Sequence, residues 1–217
     1  MKTQLSNTLT QLTITRLSSE HIREAAGVLR QAFASYPITT YMFGDSPDGP
    51  DRFRVMFEYL INSRLVQNSP VLGCRIDDEL VGVAVLSEPG EGYTTEELDN
   101  QWDRACEVMG DLAMERFNKY GGLCDDTIPA GPYHYLGILG VLPNCQGQGV
   151  GRQLLEAVLE EARSHPDSKG VCLNTEAKRN LPFYNKSGFT VHGGLPVDSI
   201  YTWGMVWEKD VDLARLR

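Results

Sequence analysis

A chain of 217 residues is long for one average domain and short for two, and with 41% hydrophobic and 23% charged residues it falls among globular rather than disordered proteins. Its formal net charge of -9, with no basic stripe, excludes the clustered Lys and Arg that a nucleic-acid binder needs. Five scattered cysteines (Cys74, Cys106, Cys124, Cys145, Cys172) without a C-x-x-C pair predict neither a disulfide framework nor a metal site, and no leader-like segment or run of about 18 apolar residues occurs, so a cytoplasmic protein that does not enter a membrane is expected.

One domain over residues 1–217 is expected, with a polar arm over residues 1–11. Leu12 to Leu17 alternates apolar and polar side chains, as a half-buried strand does. Ser18-Ser19-Glu20 then opens a helix carrying Ile22, Ala25, Ala26, Leu29 and Phe33 on one face; it must end before Pro37, which places Tyr36 at the helix exit. Gly44 to Pro50 is turn-rich, and Phe53, Met56, Phe57, Leu60 and Ile61 mark a second amphipathic helix.

Val71–Ile76 and Leu80–Leu86 read as a hairpin around Asp77-Asp78-Glu79. Tyr93 to Tyr120 reads as one helix, with Leu98, Trp102, Cys106, Met109, Leu112, Ala113 and Phe117 as its buried stripe, followed by a loop from Gly121 to Pro132. Tyr133 to Val141 is a strand in which Gly137 and Gly140 predict a bulge or a close backbone approach. A helix over Val150–His165, a strand over Val171–Thr175, a short helix over Leu181–Lys186 and strands near Phe189–His192 and Ile200–Trp207 complete the chain.

Strand, glycine-rich turn and helix follow one another at HYLGILGVLPNCQGQGVGRQLLEAVLEEA. Glycines let a backbone approach an anion, and the free N–H groups and dipole at a helix start favour negative charge, so this segment is a candidate pyrophosphate cradle. Neither the Walker spacing G-x-x-x-x-G-K-[ST] nor the Rossmann spacing G-x-G-x-x-G fits, which excludes the two commoner nucleotide loops. The residues match Q-x-x-G-x-G, as Gln146, Gly149 and Gly151.

With this loop, and with a second segment running from Asn174 through Asn180 and Tyr184 to Gly188-Phe189, the sequence resembles the GNAT superfamily of N-acetyltransferases. Within it, Ala32 to Pro37 and Arg179 to Tyr184 are similar to the corresponding stretches of puromycin N-acetyltransferases. The resemblance implies an α/β (α+β) fold with a mixed, mostly antiparallel sheet of about seven strands flanked by helices. In that fold a splayed pair of parallel strands holds CoA. It further implies acetyl-CoA as cosubstrate, no metal, and acetyl transfer to a primary amine of a small molecule.

The cofactor residues it implies are Leu139, Gly140 and Val141 on the strand, Gln146, Gly147, Gln148, Gly149, Val150, Gly151 and Arg152 in the turn, and Asn180 and Tyr184 in the second segment. Tyr184 is expected to return a proton to the CoA thiolate, whose conjugate acid lies near the Cys value of about 8.5. Where several family members carry a Glu or His, this chain has Tyr135, and a neutral phenol is a poor base at pH 7. A water relay through Tyr36 and Tyr135 is therefore expected, with His134 turned to the opposite strand face and Glu88 and Glu176 as secondary candidates. The alternatives are a non-catalytic acyl-CoA-binding module and acetylation of a protein or peptide amine. Acceptor and oligomeric state are open.

Overall fold

Why one seven-stranded sheet forms here, and why it opens in the middle, follows from where glycines and prolines interrupt the chain. The computed structural model describes residues 12–90 and 92–209; the polar arm expected over residues 1–11 lies outside them. In chain order the elements are β1 (Leu12–Arg16), α1 (Ile22–Ala32), α2 (Pro37–Phe43), α3 (Gly49–Val66), β2 (Val71–Ile76), β3 (Glu79–Ser87), α4 (Glu96–Met109), α5 (Asp111–Cys124), β4 (His134–Val141), α6 (Val150–Ser164), β5 (Gly170–Thr175), α7 (Leu181–Lys186), β6 (Thr190–Val197) and β7 (Ile200–Glu208).

The strands lie in the order β1-β2-β3-β4-β5-β7-β6, antiparallel except for the β4–β5 pair. The β2–β3 hairpin turns on Asp77 and Asp78, both at positive φ, the conformation a tight two-residue hairpin requires. Side chains alternate across β4, so one face receives α1 and the other α6. A Cβ at Gly140 would come within 2.7 Å of Leu29 on α1, and one at Gly82 within 2.8 Å of Val150 on α6. Gly140 is thus a close approach, made by helix α1. Gly137 is the bulge: β3 and β4 slip register between Val85 and Leu86, which pair with Ile138 and Leu136 and leave Gly137 unmatched.

Only three residue pairs join β4 to β5: His134 with Val171, Tyr135 with Cys172 and Leu136 with Leu173. Beyond Leu136 the two strands part. The edge of β4 from Gly137 to Val141 therefore faces a gap in the sheet instead of a ladder partner.

Three expectations need correction. Pro37 does not close a helical region; α1 ends at Ala32, and Pro37 takes the first position of α2, where its missing N–H costs nothing. Tyr36, extended at φ -77 and ψ 146 as a residue before proline must be, is the N-cap of α2. The single helix over Tyr93–Tyr120 is two helices, because Gly110 at φ 79 stops α4 and starts α5. The break resets the helical phase, leaving Leu112 59% exposed and burying Met114 in its place. Finally, α5 continues to Cys124 through Gly121 and Gly122, and the remaining loop forms a 3-10 turn at Asp125–Thr127.

That turn is seated by a second glycine contact. A Cβ on Gly204 of β7 would fall 2.0 Å from the Thr127 carbonyl oxygen, so only glycine lets the turn lie on the strand.

Candidate active site

The gap between β4 and β5 opens into a cavity of about 870 Å³. At one end stands the glycine-rich turn. Gln146 donates its side-chain N–H to the Val141 carbonyl (3.3 Å), which ties the turn to the end of β4. Gly147 (φ 77) and Gly149 (φ 89) hold left-handed backbone that a side chain would strain. Gly149 caps α6 without any side-chain bond, so the first-turn N–H groups of α6 have no cap from that residue.

Gln146, Gly147, Gly149, Gly151 and Arg152 line the cavity together with Leu139, Gly140 and Val141. The side chains of Gln148 and Val150 do not. Gln148 bonds back to the Asn144 carbonyl (2.9 Å), and Val150 is buried against the sheet. Gly151 has an ordinary φ, and a Cβ there would meet only Phe183 and Val141 at ordinary contact distance. The fold alone does not demand glycine at 151; a ligand passing close to the backbone does. These features fit the pyrophosphate and pantetheine arm of acetyl-CoA.

At the other end of the gap a polar cluster surrounds Glu176, which follows directly on β5. Tyr120 donates to its Oε1 at 2.5 Å and Thr202 at 3.2 Å. Tyr36 Oη accepts from the backbone N–H of Glu176 (3.3 Å) and from the Asn180 amide (3.2 Å), and shares a hydrogen bond with Thr175 Oγ1 (2.9 Å). The Asn180 amide also reaches Thr175 Oγ1 at 3.1 Å. Asn180 thus clasps α2's cap residue to the end of β5, with its Nδ2 directed at protein oxygens.

Tyr135 donates to Asn174 Oδ1 (3.2 Å), and Asn174 in turn donates to Thr127 Oγ1 (2.7 Å) and Thr202 Oγ1 (3.2 Å). The turn seated on Gly204 therefore fixes the phenol that lies at the mouth of the splay.

Burial dominates the electrostatics. It raises the Glu176 carboxyl above the usual carboxylate range, against the lowering pull of the Tyr120 and Thr202 hydrogen bonds. Burial, with Glu176 next, pushes the Tyr36 phenol up to about 12. Burial raises Tyr135 well above its ordinary value, with Cys124 and then Glu176 adding to it. It also raises Tyr184, with Tyr36 and then Glu176 adding. All three phenols are protonated at neutral pH, and none is a base.

Tyr184 differs from the other two. Among the described residues its hydroxyl has no hydrogen-bond partner, yet it is not sealed from the cavity that the ring lines. Its proton is free for a ligand.

The relay expected between Tyr36 and Tyr135 is not drawn together by a direct bond; each phenol is committed to its own polar neighbour. Glu176, read from the sequence as a secondary candidate, stands among them instead. Burial is what distinguishes it from the other carboxylates, and burial has no signal in a sequence. His134 is 1% exposed on the opposite strand face, bonded to Ser168 Oγ through Nδ1 (2.9 Å), and does not line the cavity. Burial, then His165, lowers its pKa to about 4. Glu88 also lies outside the cavity. No grouping of His, Cys, Asp or Glu suited to a metal ion occurs among the described residues, and none of their helices is long and apolar enough to cross a membrane.

The chain matches the acetyltransferase (GNAT) family over residues 32–189. Similar folds include a histone acetyltransferase HPA2 and related acetyltransferase from Corynebacterium glutamicum (20% identity, 90% of this chain and 94% of that one, TM-score 0.63). A Drosophila melanogaster polyamine N-acetyltransferase is similar at 13% identity, covering 91% of this chain and 100% of its own, with TM-score 0.60. A putative acetyltransferase from Salmonella typhimurium, solved with its cofactor acetyl-CoA, is similar at 16% identity over 92% and 95%, with TM-score 0.55.

Proposed function

This chain belongs to the GNAT acetyltransferase family, and from that premise we propose that it transfers the acetyl group of acetyl-CoA to a primary amine of a small molecule, by direct attack in a ternary complex. The observation that carries the reading is the single cavity joining the anion-adapted start of α6 to a buried carboxylate beside a free phenol. A non-catalytic acyl-CoA binder has no use for the second half of that cavity. The related folds include acetyltransferases named for a histone and for a polyamine, so the fold by itself does not choose the acceptor.

Each end has a chemical task. The backbone edge of β4 from Gly137 to Val141, with no partner strand across the gap, offers N–H groups to orient the thioester. An alkylammonium, of pKa roughly 10, must lose a proton before its nitrogen can attack. The Glu176 carboxylate takes that proton, and its raised pKa brings its basicity nearer to the task. The amine nitrogen then bonds to the acetyl carbon, the carbon–sulfur bond breaks, and the thiolate takes the proton of Tyr184. Tyr36, Asn180 and Tyr135 hold the carboxylate's surroundings in place through the bonds described above.

The test is an acetyl-CoA-dependent screen of primary amines, puromycin among them, read by thiol release. Turnover with at least one amine is expected, reduced by about a hundredfold in kcat in Tyr184→Phe. Acetyl-CoA binding without thiol release on any amine, or unchanged turnover in Tyr184→Phe, defeats the assignment.

A further inference from the structure

The cavity holds a cation that the reaction does not use. One face of α3 turns Phe53, Phe57, Leu60 and Arg64 into the cavity, at the spacing that keeps side chains on one side of a helix. Three of these are apolar. The fourth is a half-buried guanidinium whose hydrogen bond is to the hydroxyl of neighbouring Ser63, at 3.3 Å.

No carboxylate answers Arg64 among the described residues. Arg16, Arg30, Arg54, Arg75, Arg152 and Arg163 each pair with an acidic side chain. Arg116 and Arg52 bond to backbone carbonyls. The groups whose charge Arg64 senses are the phenols of Tyr59 and Tyr135, and Tyr135 in turn senses Glu176. Arg64 therefore belongs to the end of the cavity that holds Glu176, away from the glycine-rich turn. Its place in the last turn of α3 makes a cation tolerable through the helix dipole, worth about 0.3–1 kcal/mol. The dipole does not account for a guanidinium directed into a cavity and left without an anion, since buried charges are ordinarily paired.

We propose that Arg64 is a specificity-determining residue that binds a carboxylate on the acceptor, so that the substrate is a primary amine joined to a carboxylate through an apolar or aromatic body. The inference rests on the amine N-acetyltransferase reading above. The amine end meets Glu176, the body lies along Phe53, Phe57 and Leu60, and the planar fork of Arg64 takes the two carboxylate oxygens. A polycation gains one favourable contact at Glu176 and suffers repulsion at Arg64, so the same residue selects against polyamines.

The experiment compares amines with and without a carboxylate on one scaffold: 4-(aminomethyl)benzoate against 4-methylbenzylamine, phenylalanine against phenethylamine, and 6-aminohexanoate against hexylamine. In at least one pair the carboxylate is expected to raise kcat/KM tenfold or more. Arg64→Met should reduce that ratio to near one through the KM of the carboxylate member, and Arg64→Lys, which keeps the charge without the fork, should leave an intermediate ratio. A wild-type enzyme indifferent to the carboxylate in every pair, or a preference that survives Arg64→Met, overturns the proposal. If no amine is acetylated, the catalytic reading fails on its own. Calorimetric titration of the same pairs into the CoA-loaded protein then decides for Arg64: carboxylate-dependent binding lost in Arg64→Met upholds it, and equal binding within each pair overturns it.

Discussion

Glu176 sets function against stability within one side chain. Its folded pKa is raised by burial, so the protonated carboxyl favours the folded state below the unfolded value, and that contribution is lost as pH rises through the raised value. At neutral pH the ionised group is a liability for folding. Glu176→Gln keeps an oxygen for Tyr120 to donate to, and is expected to raise Tm at pH 8 by more than at pH 4 while abolishing amine acetylation; melting curves at the two pH values check this. The acid limb of kcat/KM in the parent enzyme should lie above the ordinary carboxylate range. His134 works in the opposite sense, since its pKa falls from 6.5 to about 4 on burial. Its contribution is present above pH 6.5 and lost as pH drops through 4, so His134→Asn should flatten the fall of stability across that window without touching the acetyl-CoA site.

At the scale of elements, glycines separate what the fold needs from what a ligand needs. Gly204→Ala drives a methyl group into the Thr127 carbonyl and is expected to lower Tm sharply, because neither backbone can yield. Gly151→Ala meets only ordinary contacts, so it should melt close to the parent protein while raising the KM for acetyl-CoA. Circular-dichroism melts and initial-rate kinetics on the two variants distinguish these outcomes. This contrast also marks what was legible in the sequence. The Q-x-x-G-x-G loop and α7, from Leu181 to Lys186, could be placed because local spacing defines them. Gly110, Pro37 and Gly204 were misjudged or unseen: a glycine inside an apolar repeat reads as tolerated, a proline reads as a stop, and a close approach depends on a partner distant in sequence. Glu176 and Arg64 gained their meaning from burial and from the neighbours that surround them or are missing, and a motif carries neither.

Across the whole molecule, the seven-stranded sheet is continuous in order and discontinuous in strength. Binding of acetyl-CoA across the gap should raise Tm in proportion to the logarithm of ligand concentration above its Kd, while ATP and NAD should not. The three pairs between β4 and β5 make this position a seam between a half-sheet of β1 to β4 and another of β5, β7 and β6. A ligand laid along Gly137 to Val141 supplies the rungs that the ladder lacks. Amide hydrogens on that edge should accordingly exchange with solvent quickly in the free protein and become protected only when the ligand is in place, so that the protein completes its own sheet with its substrate.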